Sequence, residues 1–441
     1  YAKDCILRGV GYAGVLFGIG VWNKEICENV LINCTIIIKR KEFKFRLKKN
    51  FYPMTLVCGL IVSVLIQAYN VGAVSFVRSL TGRSNLYENY YVSPMDVELV
   101  AEKKNNLILI YMESMETTFA SIEDGGAKKI NYIPELTKLA NINVSFSDKD
   151  KLGGAIQCDG TDWTMAGLLS TSTGVNYKLP ISRNSEKEYE TLWPNLISIG
   201  EILEQLGYSN YYMCGSYAEF AGKRIFLQEH GNYNIWDQNT AIEDGVLPTG
   251  YKQNWGFEDE KLFEYAKDKL TILGKKGEPF NFTLLTADTH FPEGYICNQC
   301  SDIYQEQYAN VISCSSKQME KFVRWIQEQE WYADTTIVII GDHISMNETF
   351  YSDIGDYERR IYNCFINVVP EVEMQYTRNR KYCSMDYFPT ILSAVGVTIE
   401  GDRLGLGTDL FSGKETLIEN LGFAHFNEEL KKTSLYYYNF F

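Results

Sequence analysis

Several features are missing from this sequence of 441 residues, and each absence excludes a class of protein. It has no internal repeat and no low-complexity tract, which excludes a repeat architecture. No cleavable signal peptide is recognisable, so we expect the protein to stay anchored to a membrane. Basic residues are also in deficit, with 42 Lys and Arg against 56 Asp and Glu.

The charge is unevenly distributed along the chain. Residues 1–50 hold ten Lys or Arg and four Asp or Glu, a net charge of +6, so the remaining residues carry −20 of the total of −14. A basic head therefore precedes an acidic body. Phosphate backbones are bound by clustered Lys and Arg, so the acidic body argues against a nucleic-acid partner.

A second Cys-x-x-Cys motif is missing as well. The chain has 11 cysteines, seven of which follow residue 81, and only Cys297 and Cys300 form such a pair. A structural zinc site needs four ligands at characteristic spacing. We therefore interpret this pair as a loop disulfide or free thiols rather than as zinc ligands.

One long uncharged stretch is present, at residues 51–77. It is long enough to cross a bilayer, which takes roughly 20 apolar residues, and we predict a transmembrane helix at about 52–75. A buried core helix is the alternative. Residues 39–50 hold seven basic residues and one acidic residue, which places that loop in the cytoplasm and everything after about residue 78 outside. The shorter apolar run at 9–22 is interpreted as part of an earlier membrane helix.

These features divide the chain into a membrane anchor region (1–80), a polar linker (81–104) and an extracytoplasmic domain (105–441). Apolar runs alternate with amphipathic stretches in the outer domain. That pattern predicts an α/β fold with a mainly parallel sheet and helices on both faces. The predicted strands are 106–111, 208–213, 280–286, 335–340 and 362–368. The predicted helices are 133–140, 162–170, 198–206, 259–270, 304–328 and 387–395.

Three predicted strands end in side chains that can do chemistry. Glu113 follows the first strand almost at once, the sequence Ala-Asp-Thr-His ending in His290 follows the third, and Asp342 and His343 follow the fourth. Ligands of open α/β sheets bind outside the carboxyl ends of the strands. We therefore expect these side chains to meet at one edge of the sheet.

A candidate nucleophile lies in the stretch from Gly153 to Gly174. Thr161 follows a glycine and precedes a predicted helix, so its hydroxyl would lie at the positive end of a helix dipole, where a phosphate oxygen is readily held. The alternative is an N-cap threonine that satisfies backbone amides. We expect Thr161 to join Glu113, Asp342 and His343 as the fourth ligand of a divalent ion, manganese or zinc, with magnesium also suitable.

Metal binding would make the Thr161 hydroxyl easier to deprotonate. His290 could then bind a phosphate oxygen or protonate the leaving alcohol, with a purely structural histidine as the alternative.

The motifs around these residues carry a family resemblance over the whole outer domain. The sequence resembles the bacterial phosphoglycerol transferases and lipoteichoic acid synthases of the alkaline phosphatase and sulfatase superfamily. The matching motifs are NLILIYMES with Glu113, GTDWTMAGLLST with Thr161, TADTHFPEG with His290, GDHISMNET with Asp342 and His343, DYFPTIL from Asp386, and GDRLGLGTDLFSGKETLIE at 401–419.

The resemblance implies a bacterial membrane enzyme whose catalytic domain faces outward. Thr161 would attack the phosphorus of phosphatidylglycerol, release diacylglycerol and pass the glycerophosphate to an envelope glycan or teichoic polymer. The family's metal ligands carry over to Glu113, Thr161, Asp342 and His343, and its substrate-binding histidine to His290.

Two further residues follow from the resemblance. Lys223 stands near the position of a phosphate-binding arginine, with Arg224 beside it, and Trp163 could line the glycerol pocket or belong to the core. The formylglycine-forming cysteine of the sulfatases is replaced by Thr161, which argues against sulfate-ester hydrolysis. Two other kinds of function remain open: a phosphoethanolamine transferase or other phosphodiesterase of the same superfamily, and an inactive ectodomain that binds envelope polymer.

Overall fold

The computed structural model describes residues 6–8, 34–38, 41–45, 60–63, 82–179, 186 and 189–441. The chain divides into two units, residues 1–81 and 82–441. In the first unit β1 (Ile6–Arg8) pairs in parallel with β2 (Cys34–Ile38), and β2 pairs antiparallel with β3 (Lys41–Phe45). The predicted membrane helices at 9–22 and 52–75 lie outside the described residues, apart from a short helical stretch at 60–63. Among described residues, no helix has the length and apolar character needed to span a bilayer.

The second unit is built on a six-stranded sheet. Its strands are β5 (Asn106–Met112), β6 (Ser209–Cys214), β7 (Asn234–Trp236), β8 (Phe280–Leu285), β9 (Thr335–Gly341) and β10 (Asn363–Ile366). Their order across the sheet is β10-β9-β5-β8-β6-β7. Neighbouring strands pair in parallel except for β10, which runs antiparallel to β9 at one edge. The mainly parallel sheet predicted from the sequence is confirmed.

Short strands complete the unit, in two-stranded sheets. They are β4 (Leu99–Ala101), which pairs with β11 (Val397–Ile399), and β12 (Arg403–Leu404), which pairs with β13 (Gly407–Thr408). Residues 82–104, predicted to be a linker, carry β4 and the helix α1 (Leu86–Tyr90) in this unit, with Leu86 and Tyr87 buried.

Helices alternate with the strands of the main sheet. They are α2 (Pro134–Ile142), α3 (Thr164–Thr173), α4 (Ile199–Gln205), α5 (Lys223–Glu229), α6 (Gln238–Glu243), α7 (Asp259–Lys276), α8 (Gln307–Gln327), α9 (Tyr387–Ala394), α10 (Leu417–Leu421) and α11 (Phe423–Lys431). Each predicted helix has a counterpart in this series. Ser198 caps α4 in a capping box with Glu201, which fixes where that helix begins.

Both faces of the sheet are covered by apolar side chains. Along β5, Leu107, Leu109 and Tyr111 belong to one hydrophobic core, whereas Ile108 and Ile110 belong to the other. Successive side chains of a strand point to opposite faces, so this alternation places one core on each side of the sheet. A strand buried on both faces reads as a continuous apolar run, which explains the sequence NLILIYM.

Candidate functional site

The carboxyl ends of three adjacent strands form the floor of the candidate site. β5 lies between β8 and β9, so the residues that follow these strands come together at one edge of the sheet. Glu113 follows β5, and Asp342 and His343 follow β9. The convergence expected from the sequence is therefore present in the fold for these three residues.

Glu113, Asp342 and His343 form a tight and buried cluster. His343 Nε2 lies 3.5 Å from Glu113 Oε1 and 3.5 Å from Asp342 Oδ2. Each residue offers one ligand atom, and these atoms lie within 4.8 Å of one another. The three residues are at most 3% exposed. The cluster thus combines two carboxylates and one imidazole out of contact with bulk water.

Hydrogen bonds hold the three side chains in place. Asp342 Oδ1 accepts from the backbone amides of Ser114 (2.7 Å) and His343 (2.8 Å), and the Ser114 hydroxyl donates to Glu113 Oε1 (2.7 Å). His343 Nδ1 donates to the carbonyl of Ile344 (2.8 Å), which leaves Nε2 facing the carboxylates with a lone pair. Ser114 adopts a left-handed backbone conformation (φ 54°), as residues at functional sites often do.

The cluster fits a divalent cation. Asp342 Oδ2 is buried and has no hydrogen-bond partner among the described residues, although it points at His343 Nε2. Burial, and after it the neighbouring Glu113 carboxylate, raises the pKa of Asp342 to about 7. Burial lowers the pKa of His343, but Asp342 and Glu113 outweigh that effect and bring it above 6.5. The two buried carboxylates repel each other, and this repulsion favours protonation of Asp342 and His343. A bound cation would take the place of these protons and relieve the repulsion.

The structure separates the two threonines of the TDWT sequence. Thr161 is fully buried, and its Oγ1 donates to the carbonyl of Cys158 (2.9 Å) and accepts from the amide of Cys158 (3.0 Å). Thr164 is the first residue of α3, and its Oγ1 donates to Glu113 Oε2 (3.3 Å). The Thr164 hydroxyl therefore lies beside the acidic cluster, while the role of Thr161 as nucleophile and fourth ligand stays a prediction.

Thr164 also lines a cavity of about 210 Å³, which Glu113 borders as the one member of the cluster in its lining. Glu113, His290, Lys223 and Trp163 share this lining, so four of the residues singled out in the sequence border one space. Aromatic side chains form much of the cavity wall, namely Tyr217, Phe220 and Trp255. Lys252 also lines the cavity and was not among the residues predicted from the sequence.

Lys223 is the buried lysine of this lining. It is 3% exposed, and its Nζ donates to the carbonyl of Phe220 (2.8 Å). Burial lowers the pKa of Lys223 below its usual 10.5. Arg224, the neighbouring candidate, is instead engaged by Asp237 (2.9 Å) and Glu219 (2.7 Å).

His290 and Trp163 complete the set of predicted residues in this lining. The ring of His290 packs against Trp255 with 4.5 Å between centroids, and its Nδ1 donates to the carbonyl of Phe291 (2.8 Å). His290 Nε2 remains the ring nitrogen that can meet a ligand. Trp163 is the N-cap residue of α3 and makes an edge-to-face contact with Tyr177 (4.9 Å).

Comparison with known proteins relates this chain to one family. Residues 105–397 match the Sulfatase family. Phosphoglycerol transferase I of Salmonella choleraesuis (strain SC-B67) is 32% identical over 332 residues, which are 74% of this chain. The chain spans 41% of the length of that relative.

Two solved structures share the fold at low sequence identity. Lipoteichoic acid synthase LtaP from Listeria monocytogenes aligns with a TM-score of 0.54 and 17% identity, over 74% of this chain and 81% of its own. The C-terminal periplasmic domain of EcEptC from Escherichia coli, in complex with Zn, aligns with a TM-score of 0.51 and 13% identity, over 71% and 89%. At these identities the likeness shows the fold alone.

Proposed function

The chain belongs to the sulfatase family, as its motifs predicted, and from that premise we propose that it is a metal-dependent phosphotransferase with Thr164 as its nucleophile. The proposal specifies the transfer of glycerophosphate from phosphatidylglycerol to an envelope glycan or teichoic polymer. One observation carries it: the Thr164 hydroxyl, at the start of α3, contacts Glu113 inside a cavity that Lys223 and His290 also line.

Thr164 replaces Thr161 in this proposal. A nucleophile must reach the phosphorus of its substrate, and Thr164 borders the cavity whereas Thr161 has both hydrogen-bonding roles of its hydroxyl engaged by the Cys158 backbone. The first turn of an α-helix also carries amides without intrahelical partners, which favour a phosphate group there. Thr161 is instead suited to shaping the loop that leads into α3.

The transfer takes place in two balanced steps. In the first step the Thr164 hydroxyl passes its proton to Glu113, to which it donates, and its oxygen bonds to phosphorus. The bond from phosphorus to the diacylglycerol oxygen breaks, and His290 donates a proton to that leaving oxygen. In the second step an acceptor hydroxyl bonds to phosphorus and its proton passes to His290, while the bond from phosphorus to Thr164 Oγ breaks and that oxygen takes its proton back from Glu113. Lys223 balances the charge of the non-bridging phosphate oxygens throughout.

Glu113, Asp342 and His343 would hold the divalent ion, with the Thr164 oxygen beside them. When bound, such an ion polarises phosphoryl oxygens and lowers the pKa of a nearby hydroxyl. We propose manganese as this ion, since a mixed set of oxygen and imidazole ligands suits it, as it also suits zinc and magnesium.

The donor and the location follow from the same reasoning. The name of the Salmonella relative supports a phosphoglycerol donor, and a membrane anchor at 52–75 would keep the cavity near lipid head groups. The aromatic wall formed by Tyr217, Phe220 and Trp255 suits the glycerol and the proximal acyl region of a lipid. The catalytic domain would then act outside the cytoplasm, on the membrane surface.

Donor choice is tested by incubating the chain with labelled phosphatidylglycerol or phosphatidylethanolamine in mixed micelles containing Mn²⁺. We expect diacylglycerol from phosphatidylglycerol only. Release from phosphatidylethanolamine alone would make the protein a phosphoethanolamine transferase. Release from neither lipid would favour an ectodomain that binds envelope polymer without turnover.

The nucleophile is tested by comparing Thr164→Ala with Thr161→Ala. We expect Thr164→Ala to lower diacylglycerol release on the order of 10³-fold or more, because the hydroxyl that contacts Glu113 is removed. The matched Thr161→Ala variant should keep turnover while losing some thermal stability. Mass spectrometry of trapped enzyme should find glycerophosphate on the peptide containing Thr164. A modified Thr161, or full activity of Thr164→Ala, would contradict the assignment.

A further inference from the structure

Three cysteines meet in a second cluster that shares no residue with the cavity described above. Cys297 and Cys300 lie on the loop after β8, and Cys314 lies on α8. All three are free thiols, two of them buried and Cys300 partly exposed. The sequence could not join Cys314 to the Cys-x-x-Cys pair, because only the fold brings that helix against the loop.

The sulfur positions match the edges of a metal tetrahedron. Cys297 Sγ lies 3.6 Å from Cys300 Sγ and 3.7 Å from Cys314 Sγ, and the three sulfurs lie within 4.8 Å of one another. Zinc–sulfur bonds of about 2.3 Å at tetrahedral angles separate the sulfurs by about 3.8 Å. A disulfide would need about 2.05 Å and would leave the third thiol unused.

The turn between Cys297 and Cys300 is arranged to support a thiolate. The backbone amides of Gln299 and Cys300 both donate to the sulfur of Cys297. The Cys300 amide also donates to the Cys297 carbonyl (3.1 Å), which closes the turn tightly. Hydrogen bonds to a charged acceptor stabilise the charged form, so this sulfur is prepared to bind as an anion.

The side-chain amide of Gln318 lies against two of the three sulfurs. Its amide nitrogen lies 3.3 Å from Cys314 Sγ and 3.6 Å from Cys297 Sγ, whereas its oxygen is buried without a hydrogen-bond partner in the described part of the chain. Turning the amide by 180° exchanges the two atoms. A zinc-bound oxygen would lie about 3.5 Å from each sulfur, which agrees with the observed distances.

We propose that Cys297, Cys300, Cys314 and Gln318 form a binding site for one zinc ion, separate from the Glu113, Asp342 and His343 cluster. Soft thiolate ligands select zinc over manganese or magnesium, so the two sites would differ in metal preference. Binding replaces the thiol protons, which pass to the solvent, and changes no oxidation state. The partly exposed Cys300 gives the ion a route into the site.

The ion would fasten the loop that carries His290 to α8. The same loop is already held to this helix where the Tyr308 hydroxyl donates to the Thr289 carbonyl (3.0 Å) and Gln307 Nε2 donates to the Gly294 carbonyl (3.2 Å). Cys314 and Gln318 are four residues apart on one face of α8. The site would therefore have a structural role, in which it holds the loop that carries His290 against α8.

The experiment counts zinc in a variant whose Glu113, Asp342 and His343 are all alanine, using the full chain equilibrated with buffered Zn²⁺. We expect one zinc per chain by mass spectrometry of the metal, and none after Cys300→Ser and Cys314→Ser are added. Cobalt substitution should give thiolate charge-transfer absorption that the same changes abolish. Cys364→Ala, which removes a buried thiol outside the cluster, is the matched control and should keep the zinc.

Folding is verified independently by circular dichroism, and the single variant Gln318→Leu should weaken zinc binding without removing it. A zinc-free triple-alanine variant with intact folding would overturn the proposal. Loss of two hydrogen masses together with a Cys297–Cys300 or Cys297–Cys314 cross-linked peptide would also overturn it, in favour of a disulfide. Neither result depends on which lipid the enzyme uses.

Discussion

Asp342 is a residue of the acidic cluster whose environment conflicts with its ordinary charge. One of its oxygens accepts from two backbone amides, while the other is buried without a partner among the described residues. Its pKa of about 7 in the folded chain compares with 3.8 for the unfolded group. The folded state therefore binds more protons between these values, and its stability falls as the pH rises through this window.

From this follows a prediction for Asp342→Asn. At pH 8 without metal, the variant should be more stable than the parent, on the order of 1 kcal/mol or more, because the cost of a buried charge is removed. Addition of Mn²⁺ should raise the melting temperature of the parent but not of the variant. Thermal unfolding with and without Mn²⁺ measures both effects. Equal stabilisation of the two proteins by Mn²⁺ would show that Asp342 is not a ligand.

The buried Lys223 leads to a second prediction, which concerns the pH dependence of activity. Since burial lowers its pKa, the ammonium loses its proton at a lower pH than an ordinary lysine, and the neutral amine no longer attracts phosphate. We expect kcat/KM for lipid donor to fall on the alkaline side with this pKa. Lys223→Arg should move the fall to higher pH, and Lys223→Met should remove it while lowering kcat/KM roughly a hundredfold.

Lys252 provides the control, since it lines the same cavity but is exposed. Lys252→Met should keep the alkaline fall in place. If the pH profile of Lys223→Arg coincided with that of the parent, the fall would belong to another group.

The helix α3 packs closely against the end of β9. Gly167 lies one turn beyond Thr164, and a β-carbon built there collides with the backbone carbonyl of Asp342. The helix therefore approaches the end of β9 as closely as its backbone permits. This contact sets the distance between the nucleophile proposed here and the carboxylates on the sheet.

We predict that Gly167→Ala displaces α3 and impairs the site. Overpacking of this kind typically costs about 1–3 kcal/mol of stability. Turnover and the Mn²⁺-induced rise in melting temperature should both fall, because Thr164 and Asp342 move apart. Ser172→Ala, at a half-buried position on the same helix, is the control and should retain both. Unchanged turnover in Gly167→Ala would mean that the helix tolerates the shift.

Elements were predictable from the sequence where the apolar pattern is continuous. β5, β8 and β9 begin at the predicted residues because each is buried on both faces. β7 was missed because three half-exposed residues at a sheet edge carry no periodic signal. The start of α3 was predicted two residues early, since Trp163, the N-cap, has an extended backbone and no capping side chain.

The same limit explains the outcome for the site. Glu113, Asp342 and His343 were found because strand ends of a parallel sheet share an edge. The choice between Thr161 and Thr164 depends on the loop before α3. Hydrogen bonds between the Thr161 hydroxyl and the Cys158 backbone hold that loop, and no sequence pattern reports those bonds. Cys314 and Lys252 come from distant segments and could be placed only by the fold.

At the scale of the whole molecule, the cavity combines two kinds of structure. Its floor lies at the carboxyl ends of β5 and β8, two central strands with nearly every residue buried. Its wall comes from connecting segments, among them exposed Lys252 and Trp255. Opening free energies within a protein range from near zero in exposed loops to the global value in core strands.

Hydrogen exchange should therefore separate the floor from the wall. We predict that amides of β5, β8 and β9 exchange only on global unfolding, while the segment at 250–255 exchanges many-fold faster, on the order of 10² or more. Exchange followed by mass spectrometry measures both in one sample. Equal protection of the two regions would contradict this division. A glycerophosphate ester bound in the cavity should slow exchange in the wall alone.

The collision that any side chain at position 167 would make has a wider consequence for how this scaffold can change. Reactive groups seated on the sheet tolerate almost no remodelling, whereas exposed residues of the wall such as Lys252 and Trp255 can be substituted. The preference for a lipid head group can therefore be changed by substitutions in the cavity wall while the residues at the strand ends stay the same. Laboratory evolution towards other lipid donors should accumulate its mutations in that wall.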